Sequence, residues 1–343
     1  MKLWSRIFLD ALVTILALST FAQTPPTCHI ASRYKIVPLP LHPVRINSSG
    51  AIAGKSESEQ LVTWTRDQGF REVNVPARLG SVDPMGLNEK GDIVGQVTAT
   101  TTNRGRAFSY IQGKFQLLSE APSQAKAIND SAQIAGEESP GPVLWSGSRD
   151  RLLAGCCGGR VFGINNRGEV VGELNDREGH YSAFVWDDER GLRLIAPAGS
   201  RSSTALAINN SGQILIQGFS PNQVFLRDHD RLTPVALSPE FASQPLALSD
   251  CDVIVGEYGT SSDYYHAFIW DRQNGFRDLN RLVDKAEGWN LESAVDINER
   301  GEIIGSGDHE SESDAGFLLV PEEPAIAASS TELHPGRDDS HGQ

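Results

Sequence analysis

One nine-residue pattern returns seven times along this chain, so the fold has to be an assembly of copies of a single small unit. The copies read INSSGAIAG (46–54), LNEKGDIVG (87–95), INDSAQIAG (128–136), INNRGEVVG (164–172), INNSGQILI (208–216), LSDCDVIVG (248–256) and INERGEIIG (297–305). Their first residues are separated by 41, 41, 36, 44, 40 and 49 positions, the size of a four-stranded propeller blade. An apolar and aromatic run follows each copy, at 61–64, 107–110, 142–145, 183–186, 223–226, 267–270 and 316–319. A further element, Gly-Phe-x-x-Leu in its clearest form, follows six of them, at 69–73, 113–117, 149–153, 191–195, 230–235 and 275–279. The seventh instance stands ahead of the first copy, at 34–39.

Each unit reads as two hairpins. The segment ending in Ile-Asn and the following x-Ile-Val-Gly are strands joined by a turn whose Gly takes positive φ and whose Asn bonds its own backbone. The aromatic run and the Gly-Phe-x-x-Leu element make the second pair. Small residues such as Ala205, Ala207 and Ala247 suit an innermost strand, where sheets converge, and the bulky third strand suits the wider gaps outside. The expected fold is therefore all-β, a seven-bladed β-propeller of four-stranded blades over residues 34–320, its ring closed by the N-terminal strand. This also disposes of SGAIAGKS (49–56), which imitates a nucleotide-binding loop. Its glycines belong to the repeat, its spacing is one residue short, and no helix pattern follows.

The literal His266-Ala267-Phe268-x-Trp270, the seven repeats and an export-like N-terminus together resemble the extracellular HAF-repeat proteins of bacteria. The resemblance covers residues 34–320 and implies a secreted, β-propeller-like protein. The pattern departs from its consensus where Ala132 and Asp252 replace the turn Gly, Ser249 the Asn and Ile216 the strand Gly.

Lys2 and Arg6 precede an apolar run and Thr20-Phe21-Ala22, so residues 1–22 are expected to be a signal peptide and the protein to be secreted, extracellular or periplasmic. Residues 23–33 read as a linker, and 321–343 as a disordered polar tail. Removing 1–22 takes away Lys2, Arg6 and Asp10 and moves the net charge from −14 to −15, a balance that disfavours nucleic acid and anionic membrane. No membrane insertion is expected after cleavage. The pairing of Cys28, Cys156, Cys157 and Cys251 stays open, as does the oligomeric state.

In such a ring the turns from first to second and third to fourth strand share one face and are short here. The loops of the other face vary, and variable loops on a regular scaffold are where binding resides. Candidates on that face are Glu137, Glu173, Asp176, His180, Glu257, Asp263, Tyr264, Tyr265 and His266. The two histidines, His180 and His266, occupy near-equivalent places and read as strand-edge packing or a turn hydrogen bond. Asp308, Glu310, Glu312 and Asp314 would share one side of an extended segment. Calcium is the one ion such oxygens would suit; no other cofactor is expected. The common hydrolase, zinc and redox motifs are absent, so no catalytic residue is assigned. The expected function is a secreted, non-enzymatic interaction module for an extracellular glycan or protein. A propeller hydrolase or lyase using loop carboxylates, and a structural envelope or matrix component, are the alternatives.

Overall fold

Seven four-stranded antiparallel sheets stand around a central axis in the computed structural model, which describes residues 31–322 apart from 77–78, 100–103, 148, 156–157, 239–241 and 262–263. The expected signal peptide, Cys28, Cys156, Cys157, Asp263 and the tail beyond Glu322 lie outside the described residues. Blades 1 to 6 span residues 42–72, 81–117, 123–152, 159–194, 202–235 and 243–278. Blade 7 takes three strands from 289–321 and its outermost strand from Tyr34–Leu39, so the N-terminal strand closes the ring as the repeat count requires. Tyr34 pairs with Pro321 and Leu39 with Gly316 along that closure. Ala31, expected in a linker, is buried at the seam between blades 6 and 7, where Arg277 donates to its carbonyl. Among the described residues no helix is long and apolar enough to cross a membrane.

The core lies between neighbouring sheets. Phe108, Phe184, Phe268 and Phe317 occupy the same place in the third strands of blades 2, 4, 6 and 7 and are fully buried. Each blade's innermost strand carries a bulge, for example between Val161 and Gly163 in blade 4. The bulge explains the last Gly of the repeat. A Cβ on Gly172 would stand 2.0 Å from the carbonyl oxygen of Arg160 and 2.8 Å from the Phe184 ring. The turn position is left-handed even where Gly is missing, with φ of 57° at Ala132 and 60° at Asp252.

The repeat's Asn ties the blades to each other. In blade 4 the Oδ1 of Asn165 accepts from the backbone N–H groups of Arg167 and Glu169, and its Nδ2 donates to the Asn209 carbonyl of the next blade. The same cross-blade bond runs from Asn298 to Asn47, Asn47 to Asn88, Asn88 to Asn129, Asn129 to Asn165, and Asn209 to Ser249. A primary amide serves because its acceptor oxygen and its two-donor NH2 are separate atoms pointing in different directions, where a hydroxyl must do both at one atom with a single donor. Ser249 breaks the belt between blades 6 and 7. Its Oγ accepts from Cys251 and Val253, but it has no amide to offer Asn298. Ser249→Asn is expected to complete the belt and stabilise the protein by about 1 kcal/mol, a rise of roughly 2–4 °C in Tm. An unchanged or lower melting temperature would show that the belt does not act through this bond.

Candidate functional site

The variable face behaves as its loops suggest: connections there run from two residues (40–41) to ten (279–288). Its candidate residues divide into two groups. Glu137, Glu173 and Glu257 each follow the strand Gly of a repeat, and in blades 3 and 4 this position fastens one blade to the next. Glu137 Oε1 accepts from the Val161 N–H, and burial pushes its carboxyl up. Glu173, 1% exposed, lies between Arg160, 2.6 Å away, and the Thr204 hydroxyl of blade 5. Glu173 is thus a buried clamp, and the half-buried Glu137 makes a cross-blade bond of the same kind. Asp176 caps the hairpin of blade 4, accepting from the N–H groups of Glu178 and His180; the His180 bond is the main reason its carboxyl sits low. His180 ring nitrogens face Asp176 at 3.3 Å and Arg201 at 2.9 Å. It sits in a loop whereas His266 sits in a strand, so the two are not equivalent.

The other group converges at the seam of blades 6 and 7. Among the described residues Glu257 has no cross-blade clamp of the Glu173 type; its charge acts on Glu292, on the innermost strand of blade 7 (Trp289–Ile297). Burial raises the Glu292 carboxyl first, then the like charges of Asp308, Asp314 and Glu257, with His266 opposing. His266 is held by Asp278 at 3.3 Å and packs edge-on to Tyr258. The Tyr258 hydroxyl is pushed up to about 12 by burial and by the Asp278 carboxylate, to which it donates. Beside His266 in the same strand, Tyr264 and Tyr265 are 62% and 51% exposed on paired backbone. Trp289 and His309 stack at 4.4 Å nearby in blade 7.

Asp308, Glu310, Glu312 and Asp314 do not share one side, contrary to expectation. His309 pairs with Glu312, so a tight turn at Glu310 splits the run over two antiparallel strands, and Glu310 and Asp314 have φ of 54° and 59°. Among the described residues no three His, Cys, Asp or Glu side chains are grouped to hold a metal ion.

A second carboxylate group surrounds the opposite mouth of the ring. The residue after each repeat Asn donates its N–H to its counterpart one blade on: Ser48 to Glu89, Glu89 to Asp130, Asp130 to Asn166, Asn166 to Asn210, Asn210 to Asp250. Glu299 occupies the same place in blade 7 with a buried, unpartnered Oε2. Burial, then Asp250, Glu89 and Asp296, raise its carboxyl to about 7. Neither Glu292 nor Glu299 was anticipated. Glu299 had a signal, since four of the seven residues in its repeat column are acids; Glu292 lies outside the repeated segments.

No protein-family model and no curated protein matches this sequence. Solved structures do. The propeller domain of the Trilobed protease from Pyrococcus furiosus matches with TM-score 0.54 at 12% identity, over 86% of this chain and 96% of its own. YCF48 bound to a D1 peptide matches with TM-score 0.56 at 10% identity, over 85% and 97%. A chain of a mitotic checkpoint complex matches with TM-score 0.55 at 11% identity, over 93% and 100%. At these identities the likeness is one of fold. The Pyrococcus domain is described as having an open velcro topology, whereas here Tyr34–Leu39 closes the last blade.

Proposed function

We propose that this chain is an exported, non-enzymatic interaction module that binds an extracellular glycan or protein at the blade 6–7 edge of its variable face. The exposed pair Tyr264 and Tyr265 carries the reading. Rigidly mounted aromatic faces offer stacking area at small entropic cost, and the neighbouring Glu257, Glu292, Asp308 and Asp314 supply acceptors for hydroxyl or ammonium groups. YCF48, of similar fold, is seen with a peptide, an analogy of fold that suits a protein ligand equally. Export is supported by the disulfide at Cys251, a bond that persists in oxidising compartments.

A glycan array probed with the purified protein, in calcium and in chelator, tests this reading, with thermal shift on each hit. A saccharide hit weakened about tenfold or more by Tyr265→Ala is the expected result, given what stacking contributes. Hits indifferent to both tyrosines would remove the proposed site. One observation favours a second reading: Glu292 is a raised carboxyl among other carboxylates, the arrangement that separates an acid from a base. Shortening of a bound saccharide, abolished by Glu292→Gln, would establish a hydrolase or lyase instead.

A further inference from the structure

The bulge in every innermost strand sets two successive residues side by side, and eleven of those fourteen positions line a central cavity, all but Val44, Met85 and Val295. The first of the pair is apolar in six blades: Val44, Met85, Phe162, Leu206, Leu246 and Val295. In blade 3 it is Lys126. The second is Gly or Ala in five blades, and becomes Arg45 in blade 1 and Asp296 in blade 7. Three charges thus interrupt an otherwise small and apolar lining, although the same strand folds without a charge at these positions in four other blades.

Their partners define what is left over. Asp296 accepts from the Ile46 and Ile297 N–H groups, and its carboxyl, pushed up by burial, is pulled back by Arg45. Arg45 donates to the Val44 carbonyl and offsets that carboxylate. Lys126, whose charge is felt by the Glu137 carboxylate outside the lining, adds a second positive charge, so the lining residues themselves carry a net charge of +1, two cations against Asp296, in a strongly acidic protein. Between these groups lies a cavity of about 170 Å³, with Phe162, Leu206 and Leu246 on the side facing away from Arg45 and Asp296. An apolar protein cavity of roughly 150 Å³ holds a benzene molecule.

We propose that the central channel is a binding site for a small amphipathic carboxylate, its apolar body against Phe162, Leu206 and Leu246 and its carboxylate on Lys126 and Arg45. Charge-assisted bonds of this kind are stronger than neutral ones. This site is separate from the Tyr264–Tyr265 edge and does not depend on it.

Benzoate, titrated calorimetrically into the intact protein against neutral benzamide and cationic benzylamine, tests the assignment. Benzoate is expected to bind at least tenfold more tightly than either. Lys126→Met, which installs the side chain that blade 2 already carries at Met85, is expected to weaken benzoate about tenfold with Tm unchanged, and Lys126→Arg to restore it. Absence of benzoate binding, equal binding of benzamide, or Lys126→Met binding like the parent would each overturn the proposal. A Lys126→Met protein that melts early moves the test to Lys126→Gln, judged by the same benzoate-to-benzamide ratio.

Discussion

Deleting Tyr34–Leu39 is expected to unfold or aggregate the ring as a whole, well beyond the loss of one strand. The segment pairs along all six residues with 316–321, and Tyr34, Ile36 and Leu39 are buried. Burying such side chains contributes about 1.5–3 kcal/mol each, so three of them approach the roughly 5–15 kcal/mol that separates a folded domain from its unfolded chain. Removing them uncovers Phe317 and Leu319 and leaves an unpaired edge, which templates association between copies. Thermal melting and light scattering of the shortened protein give the answer, and a synthetic 34–39 peptide added in trans is expected to restore solubility. A truncated protein that melts like the intact one would refute closure by this strand.

Asn165→Ala is expected to cost about 3–5 kcal/mol, far more than a surface Asn would. Asn165 is 2% exposed and its side chain makes four bonds, two accepted from Arg167 and Glu169 N–H groups and two donated to the Asn209 carbonyl and Glu169 Oε2. Truncation leaves several buried polar groups unpaired, at about 1–3 kcal/mol for each one that water cannot reach. Asn165→Asp separates the two halves of the role. It keeps the accepted bonds but loses the donors and sets a second carboxylate against Glu169, so its deficit should shrink at low pH, where either carboxyl can be protonated and donate. Urea titrations of both variants at two pH values distinguish the outcomes; equal stability of Asn165→Ala and the parent would show that the belt is decorative.

The blade count, the strand order and the closing strand were legible because they rest on local chemistry: hydrophobic alternation, Asn-x-x-Gly turns and a fixed period. The roles that depend on neighbouring blades were not. Glu173 reads as a loop acid from its own flanks, and only the approach of Arg160 and of Thr204 from the next blade makes it a clamp. The 308–314 run reads as one extended edge until the turn at Glu310 divides it. Glu292 stands in a stretch with no repeat to compare it with, so nothing marked it as the carboxyl around which Asp308, Asp314 and Glu257 gather. Arg45 and Asp296 were visible in principle, as charges in a column of Gly and Ala. The column itself becomes evident only once the bulge is known to turn both of its residues inward.

Closure by the N-terminal strand has a consequence for orientation. Arg33 and Glu322 are joined by a backbone hydrogen bond at the outer edge of blade 7, on the side of the short Asn-x-x-Gly turns. The chain thus enters and leaves the last blade side by side, on the face opposite the variable loops. A tether fused at Arg33 or Glu322 would therefore hold the ring from that side and leave Tyr264 and Tyr265 turned away from it.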